Sequence, residues 1–432
     1  MTNTREIKQR FFNSLKRGTG EAYLIAKENP NIDFSLYIIK GALRNYAYDG
    51  QSEDSRAQYI FDLISLSNKK EKIRKAVLNG FATEQNDTWS LTHLFDLARI
   101  YAQNGDNDTK QAIYDRFLNH SIADYADWVG AYEILSLDGL QGLFYIAEKF
   151  GKMIEQNPDD WQDSHIIIRF QEENPEIKAM EELENLVVIN KYVRIYLDNI
   201  KKTEENREKH WQERILRQKQ YKSIVDEILH EEHGLGYIRI KKLNNKELKE
   251  IAKQLLIEKN PTNIKKLLWI FTSHKFPFDS EFILQLAKQK RNSKYRINEF
   301  AIDALEFLKS ENIRKFALEK ILSTKQPNEF LSILVSNFEK GDERLLVEIA
   351  KNTNNEHKID YIARIFTGIF KANETELCKE PLEIIYEKMN CGVCRNAIVK
   401  ILIKNKVLSE KIRKEIKHDS DLDTRKLYRK KS

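Results

Sequence analysis

One short pattern constrains this chain more than any other feature: an apolar residue, two variable residues, a second apolar residue and an alanine. It occurs as Leu94-Phe-Asp-Leu97-Ala98, Leu143-Phe-Tyr-Ile146-Ala147, Leu248-Lys-Glu-Ile251-Ala252, Ile283-Leu-Gln-Leu286-Ala287, Ile313-Arg-Lys-Phe316-Ala317 and Leu346-Val-Glu-Ile349-Ala350. Positions i, i+3 and i+4 fall on one face of an α-helix, and the small alanine lets a neighbouring helix come close. The last four alanines are 35, 30 and 33 residues apart, the period of a stacked helical repeat. With 15 Gly and 7 Pro in 432 residues, turn residues are too few for a sandwich or barrel of short strands.

Each patterned helix is followed by a second amphipathic one. The pairs are expected at 246–258 with 262–273, 279–289 with 295–309, 311–322 with 327–339, 342–351 with 357–371, 375–388 with 393–405 and 408–417 with 421–430. Asn260-Pro261, Gln326-Pro327, Gly341-Asp342 and Gly392 punctuate them, and Asp279 and Ser280 offer an N-cap. The first half is helical but less regular, broken at Gly18, Gly20, Asn29-Pro30, Asp49-Gly50, Asn104-Gly105, Asp138-Gly139 and Asn157-Pro158.

The charge is uneven. Residues 1–200 carry 23 Lys and Arg against 31 Asp and Glu, a net −8, and residues 201–432 carry 49 against 35, a net +14. Residues 201–222 are almost wholly charged without Pro or Gly, as expected of a helical connector laced with i,i+4 pairs. The expected division is an acidic block over 1–200, a connector over 201–222 and a basic repeat domain over 223–432.

The last repeat, Arg395-Asn-Ala-Ile-Val-Lys-Ile-Leu through Lys417-His-Asp419-Ser-Asp-Leu-Asp-Thr-Arg425, resembles a HEAT or PBS-lyase-type HEAT-like repeat, and the helix-pair pattern extends the resemblance over about 246–430. It implies an all-α protein, an α-solenoid of HEAT-like antiparallel helix pairs with a less regular helical N-terminal block. It also implies that Asp419 and Arg425, six residues apart, form a carboxylate–guanidinium pair between repeats. HEAT-like repeats imply an interaction surface without specifying the partner.

Chemical motifs are sparse. Cys391-Gly-Val-Cys394 lacks a second close pair, with Cys378 and His418 the nearest candidates, so a tetrahedral zinc site is not expected. His230-Glu-Glu-His233 departs from the zincin pattern and has no third ligand placed by sequence. Arg413 and His418 share the Arg-x4-His spacing of HEPN-type ribonucleases, a coincidence easily met among 72 basic residues. There is no phosphate-binding glycine loop and no nucleophile elbow. Trp269, inside Leu267-Leu-Trp-Ile-Phe271, is expected in the core. No catalytic residue, cofactor or metal is expected, and no apolar run is long enough for a membrane span or marks a leader. Few cysteines suit a reducing, cytoplasmic setting.

The expected role is a non-catalytic scaffold or adaptor that binds a protein or peptide partner. The alternative is a nucleic-acid-binding solenoid, in which Lys265, Lys266, Lys294, Arg296, Lys358, Arg364, Arg395 and Lys400 on the second helices follow a phosphate backbone. A further alternative is a HEAT-like nucleic-acid enzyme such as an alkylpurine glycosylase.

Overall fold

Helix starts in this chain are set by short polar side chains. Asp87 accepts the backbone N–H groups of Trp89 and Ser90 at the head of Thr88–Gln103. Asn244 and Glu247 form a reciprocal capping box on Asn245–Ile257, and Asn260 caps Pro261–Phe271 with proline in its first turn. Each satisfies N–H groups that the helix itself cannot. A computed structural model describes residues 4–53, 55–119, 128–324 and 326–428 of the chain. Among these residues every regular element is helical. No helix of theirs is long and apolar enough to cross a membrane. All six alanines of the recurring pattern are buried.

The observed helices follow the expected pairs, with parts of the expected spans wound as 3-10 helix, including Leu305–Phe307 and Glu376–Cys378. The second element of the third pair is a 3-10 helix, Pro327–Ile333, running into a short α-helix, Leu334–Asn337. Its residues include Asn328, Phe330, Ser332 and Ile333, all middling helix formers. Asp138-Gly139 does not end a helix but kinks Ala131–Gln156, with Gly139 at φ 53°, ψ −125°, a region open essentially to glycine alone. The last helix is Leu422–Leu427, and positions 429–430 of its expected span lie outside the described residues.

The described chain divides into two compact units. Unit 1 comprises 4–211 with 390–396 and 409–428; unit 2 comprises 212–389 with 397–408. The expected repeat domain spans 223–432, whereas 390–396 and 409–428 make their contacts in unit 1. The division near 211 falls within a single helix, Lys191–Gln218, whose charged second half is solvent-exposed.

In unit 2, Pro261–Phe271 packs on Ile297–Ala304. That helix packs on the 3-10 segment, which with Leu334–Asn337 packs on Glu356–Ala372. The second members of successive pairs therefore lie side by side.

In unit 1 the reason for the late segments' placement is a buried charge cluster. Arg395 and Asp419 are both 0% exposed and pair through two hydrogen bonds, Nε to Oδ2 at 3.0 Å and Nη2 to Oδ1 at 2.8 Å. The guanidinium also donates to the carbonyls of Arg17 at 2.6 Å, Gly18 at 3.2 Å and Asn390 at 3.0 Å. Arg56 donates to the carbonyls of Lys16 and Asn390 and to Glu53, and Glu53 accepts the N–H of Gly392. Two guanidinium groups thus satisfy carbonyls at and just beyond the C-terminal end of Thr4–Arg17, where the helix dipole is negative. Gly20 is required here, because a Cβ on it would lie 1.8 Å from the Glu415 carbonyl oxygen.

The expected Asp419–Arg425 pair takes a different form. The Asp419 carboxylate serves Arg395, while Arg425 donates to the Asp419 backbone carbonyl and to the Asp62 carboxylate at 2.7 Å. Arg395, expected on an exposed phosphate-binding row, is corrected to a fully buried structural residue. It has no surface with which to meet a polyanion.

Unit 1 also buries His93. Its Nε2–H donates to the Gly41 carbonyl at 3.1 Å, and its Nδ1 accepts from the Ser55 hydroxyl at 3.2 Å, which fixes the neutral tautomer. Burial pushes its pKa down to about 4.

Two outcomes are expected. Replacing Arg395 by Met leaves Asp419 buried and unpaired, and should destabilise unit 1 by about 3–5 kcal/mol. Denaturant unfolding checks this, and a loss below about 1 kcal/mol, the size of an ordinary substitution, would refute it. For His93, whose folded pKa is depressed, stability is fully present above its unfolded value and is lost as pH falls toward 4. The advantage of the wild type over His93→Gln should therefore shrink by about 3 kcal/mol between neutral pH and pH ~4. Comparing the two proteins cancels the contribution of Glu133, a buried acid pushed up to about 7, whose pH dependence has the opposite sign.

Candidate functional site

The second helices of unit 2 line a concave groove of about 620 Å³, within the range of ligand-binding clefts. Each contributes one face. Pro261–Phe271 and the residue after it present Trp269 and Thr272. Ile297–Ala304 with its 3-10 extension presents Glu299, Ile302, Asp303 and Glu306. The 3-10 segment and the helix after it present Glu329, Ser332 and Val335, and Glu356–Ala372 presents Tyr361, Arg364, Ile365 and Gly368. The sets 299, 302, 303, 306 and 361, 364, 365, 368 are spaced i, i+3, i+4, i+7. The 3-10 set is spaced by three, the interval at which side chains eclipse in that helix. The 3-10 winding thus keeps Glu329 and Ser332 on one edge, and Val335 in the helix after it continues the interval. Trp269, Ile302, Ser332 and Ile365 lie 33, 30 and 33 residues apart, in step with the buried alanines.

Charge in the groove separates into committed and uncommitted groups. Arg291 pairs with Glu299 at 2.9 Å and with Glu329 at 3.3 Å, and Arg296 pairs with Glu299 at 2.5 Å. Arg296 sits in the left-handed region, φ 55°, unusual for a residue with a Cβ, and its guanidinium lies over Phe300. Arg364 stacks on Tyr361, 5.6 Å from the ring centre. Asp303 and Glu306 take part in no ion pair among the described residues. Water reaches Asp303, yet the surrounding protein desolvates its carboxyl and pushes the pKa up to about 6. Desolvation, then the Asp303 charge, pushes Glu306 up to about 7, against the pull of Arg364. Ser332 is only 8% exposed, and its Oγ makes no hydrogen bond, an unusual state for a buried hydroxyl.

Of the expected phosphate-binding row, Arg296 and Arg364 line this groove. Lys266 does not: its ammonium donates to the carbonyls of Leu229 and Glu231, capping Ile224–His230. Lys265 is half-buried, and Lys294, Lys358 and Lys400 are exposed beyond the groove lining. Lys294 lies over the Tyr295 ring.

Trp269, expected in the core, is 43% exposed and meets Phe300 edge-on at 5.2 Å. It sits on the solvent-facing side of an otherwise apolar run. Asp303, Glu306 and Ser332 were not singled out from sequence; the spacing that places them on a shared face was available, but their lack of partners was not.

The other motifs go elsewhere. His418 stacks on Tyr23, with ring centres 3.8 Å apart, and its pKa is pushed down to about 4 by burial and neighbouring cations. Arg413 pairs weakly with Glu410. Cys391 is buried, and its sulfur accepts the Cys394 N–H at 3.3 Å. Compared with known proteins, the chain matches no family model and no curated protein.

Because the folded-state pKa of Glu306 is raised, its charge destabilises unit 2 as pH climbs through about 7. Glu306→Gln should raise the melting temperature of unit 2 at pH ~8 and leave it unchanged at pH ~4, where the carboxyl is protonated in both states. Equal effects at both pH values, by scanning calorimetry, would contradict the assignment.

Proposed function

We propose that this chain is a non-catalytic interaction scaffold. In this reading unit 2 is a HEAT-like α-solenoid of antiparallel helix pairs, and it holds a protein partner by a peptide segment laid along the groove. The observation that carries the reading is the charge inventory of the groove. The arginines there are paired with carboxylates or stacked on a ring, and the groups left uncommitted are carboxyls. A phosphate backbone needs the reverse. Burial of Arg395 and the capping role of Lys266 thin the basic row further. Apolar strips beside polar groups, on a concave face with an exposed tryptophan, suit polypeptide recognition. A chain with only three cysteines fits a reducing, cytoplasmic location.

A photo-crosslinking amino acid at Thr272, in the groove, should capture a polypeptide in the cells that make this protein. The same group at Leu322, exposed in unit 2 outside the groove lining, should not capture it. An adduct destroyed by nuclease rather than protease, or no adduct at all, would overturn the scaffold reading. Gel shifts at ~150 mM salt, where exposed charges are screened beyond about 8 Å, should show no retention of DNA or RNA.

A further inference from the structure

We infer that the groove of unit 2 recognises an arginine side chain of its partner, with Asp303 and Glu306 as the guanidinium acceptors and Trp269 as the ring beside it. The inference rests on the scaffold reading and specifies what the scaffold recognises.

Four observations converge. First, Asp303 and Glu306 are the carboxyls in the groove that no cation of the protein satisfies. Arg291 and Arg296 are held by Glu299 and Glu329, and Arg364 stacks on Tyr361 instead of bridging to either acid. Second, the buried Ser332 hydroxyl lines the same groove without a hydrogen-bond partner. A guanidinium offers five donors in a planar fork and no acceptor, which matches two carboxyls and a hydroxyl oxygen. Third, Trp269 is exposed at the groove, and an indole face is the strongest aromatic partner for a guanidinium. Fourth, Ile302, Val335 and Ile365 supply apolar wall against which the three-carbon stem of an arginine packs. A metal ion is a poorer fit, since among the described residues no third ligand joins these two carboxyls at coordination distance.

Binding is coupled to protons. Near neutral pH the Asp303 and Glu306 carboxyls are partly protonated, and a guanidinium bound to both requires the ionised forms. Affinity should therefore rise with pH between about 5.5 and 7.5, with proton release on binding. The other charged or titratable groups facing the site are Arg291, Arg296, Glu299, Glu329, Tyr361 and Arg364. Glu299 is shifted below its ordinary value, while Arg291 and Tyr361 are shifted above theirs, so these three keep their charge state across that window.

The test uses the full-length protein with nitrogen-15-labelled tryptophan, with the Trp269 indole resonance assigned from Trp269→Phe. The probes are acetyl-Gly-Leu-Arg-Leu-Gly-amide and the same peptide with norleucine or glutamate in place of arginine. The arginine peptide at millimolar concentration should move the Trp269 resonance, with affinity several-fold higher at the upper pH. The norleucine and glutamate peptides should not move it. The double variant Asp303→Asn/Glu306→Gln, shown to be folded by a wild-type circular dichroism spectrum and a cooperative melting transition of unit 2, should bind the arginine peptide at least tenfold more weakly. A Trp269 resonance that stays still, equal binding of the norleucine peptide, or undiminished binding by the double variant overturns the inference. If the Thr272 crosslink still captures its polypeptide in the double variant, the arginine site is wrong while the scaffold stands. Absence of any crosslinked polypeptide instead removes the scaffold reading itself.

Discussion

The paired charges of Arg395 and Asp419 sit where no water reaches, and everything around them is arranged to make that tolerable. A buried guanidinium is costly unless its donors are all used. This one donates to a carboxylate, a serine hydroxyl and carbonyls from residues 17, 18 and 390. Those carbonyls belong to groups that would themselves be costly to bury unpaired. Neither side of the cluster is stable without the other, so the arrangement ties the end of the first helix to segments near the end of the chain. Glycine at positions 18 and 20 follows from the same constraint, because side chains there would occupy the space of Ser420 and the Glu415 carbonyl.

Unit 2 handles charge differently. Its groove keeps ionic groups at the surface, where pairing is worth little energetically but decides which charges remain available. Glu299 is shared between Arg291 and Arg296, and Glu329 also pairs with Arg291, so two carboxylates neutralise the two arginines of the basic rim. Asp303 and Glu306 are left without a cation; desolvation raises both pKa values, helped by the Glu299 and Glu329 charges at Asp303 and by the Asp303 charge at Glu306. A site with perturbed acids, an exposed aromatic and an unsatisfied hydroxyl departs from what stability alone would favour, and such departures gather where ligands bind.

Much of the helical architecture was legible in the chain, for identifiable reasons. The apolar-x-x-apolar-alanine pattern places buried faces locally, and Asn260-Pro261 and Gly341-Asp342 act within a few residues of themselves. Arg395 was misread because its burial depends on carbonyls 377 and 378 positions away. Trp269 was misread because its neighbours at 267, 268, 270 and 271 are all buried, and one position of an apolar run still faces outward. In the groove, the register shared by 269, 302, 332 and 365 was implicit in the alanine spacing. Which of its acids lacked a cation was not, since that depends on Arg291 reaching Glu329, 38 residues on.

The burial of segments 390–396 and 409–428 in unit 1 also bears on how the protein is made. Synthesis proceeds from the N-terminus at roughly 5–20 residues per second. The carbonyls at the end of Thr4–Arg17 therefore wait for about twenty seconds or more before Arg395 and Asp419 leave the ribosome. By the time Arg395 is added, residues 212–389 of unit 2 have been made and its 397–408 segment is still to come, while unit 1 lacks the side chains that fill its charge cluster. A chain arrested before residue 395 would carry every residue that lines the groove, all within 269–368, without the segments that complete unit 1. Quality control acting on exposed, unsatisfied helix ends would thus discriminate finished molecules from prematurely terminated ones.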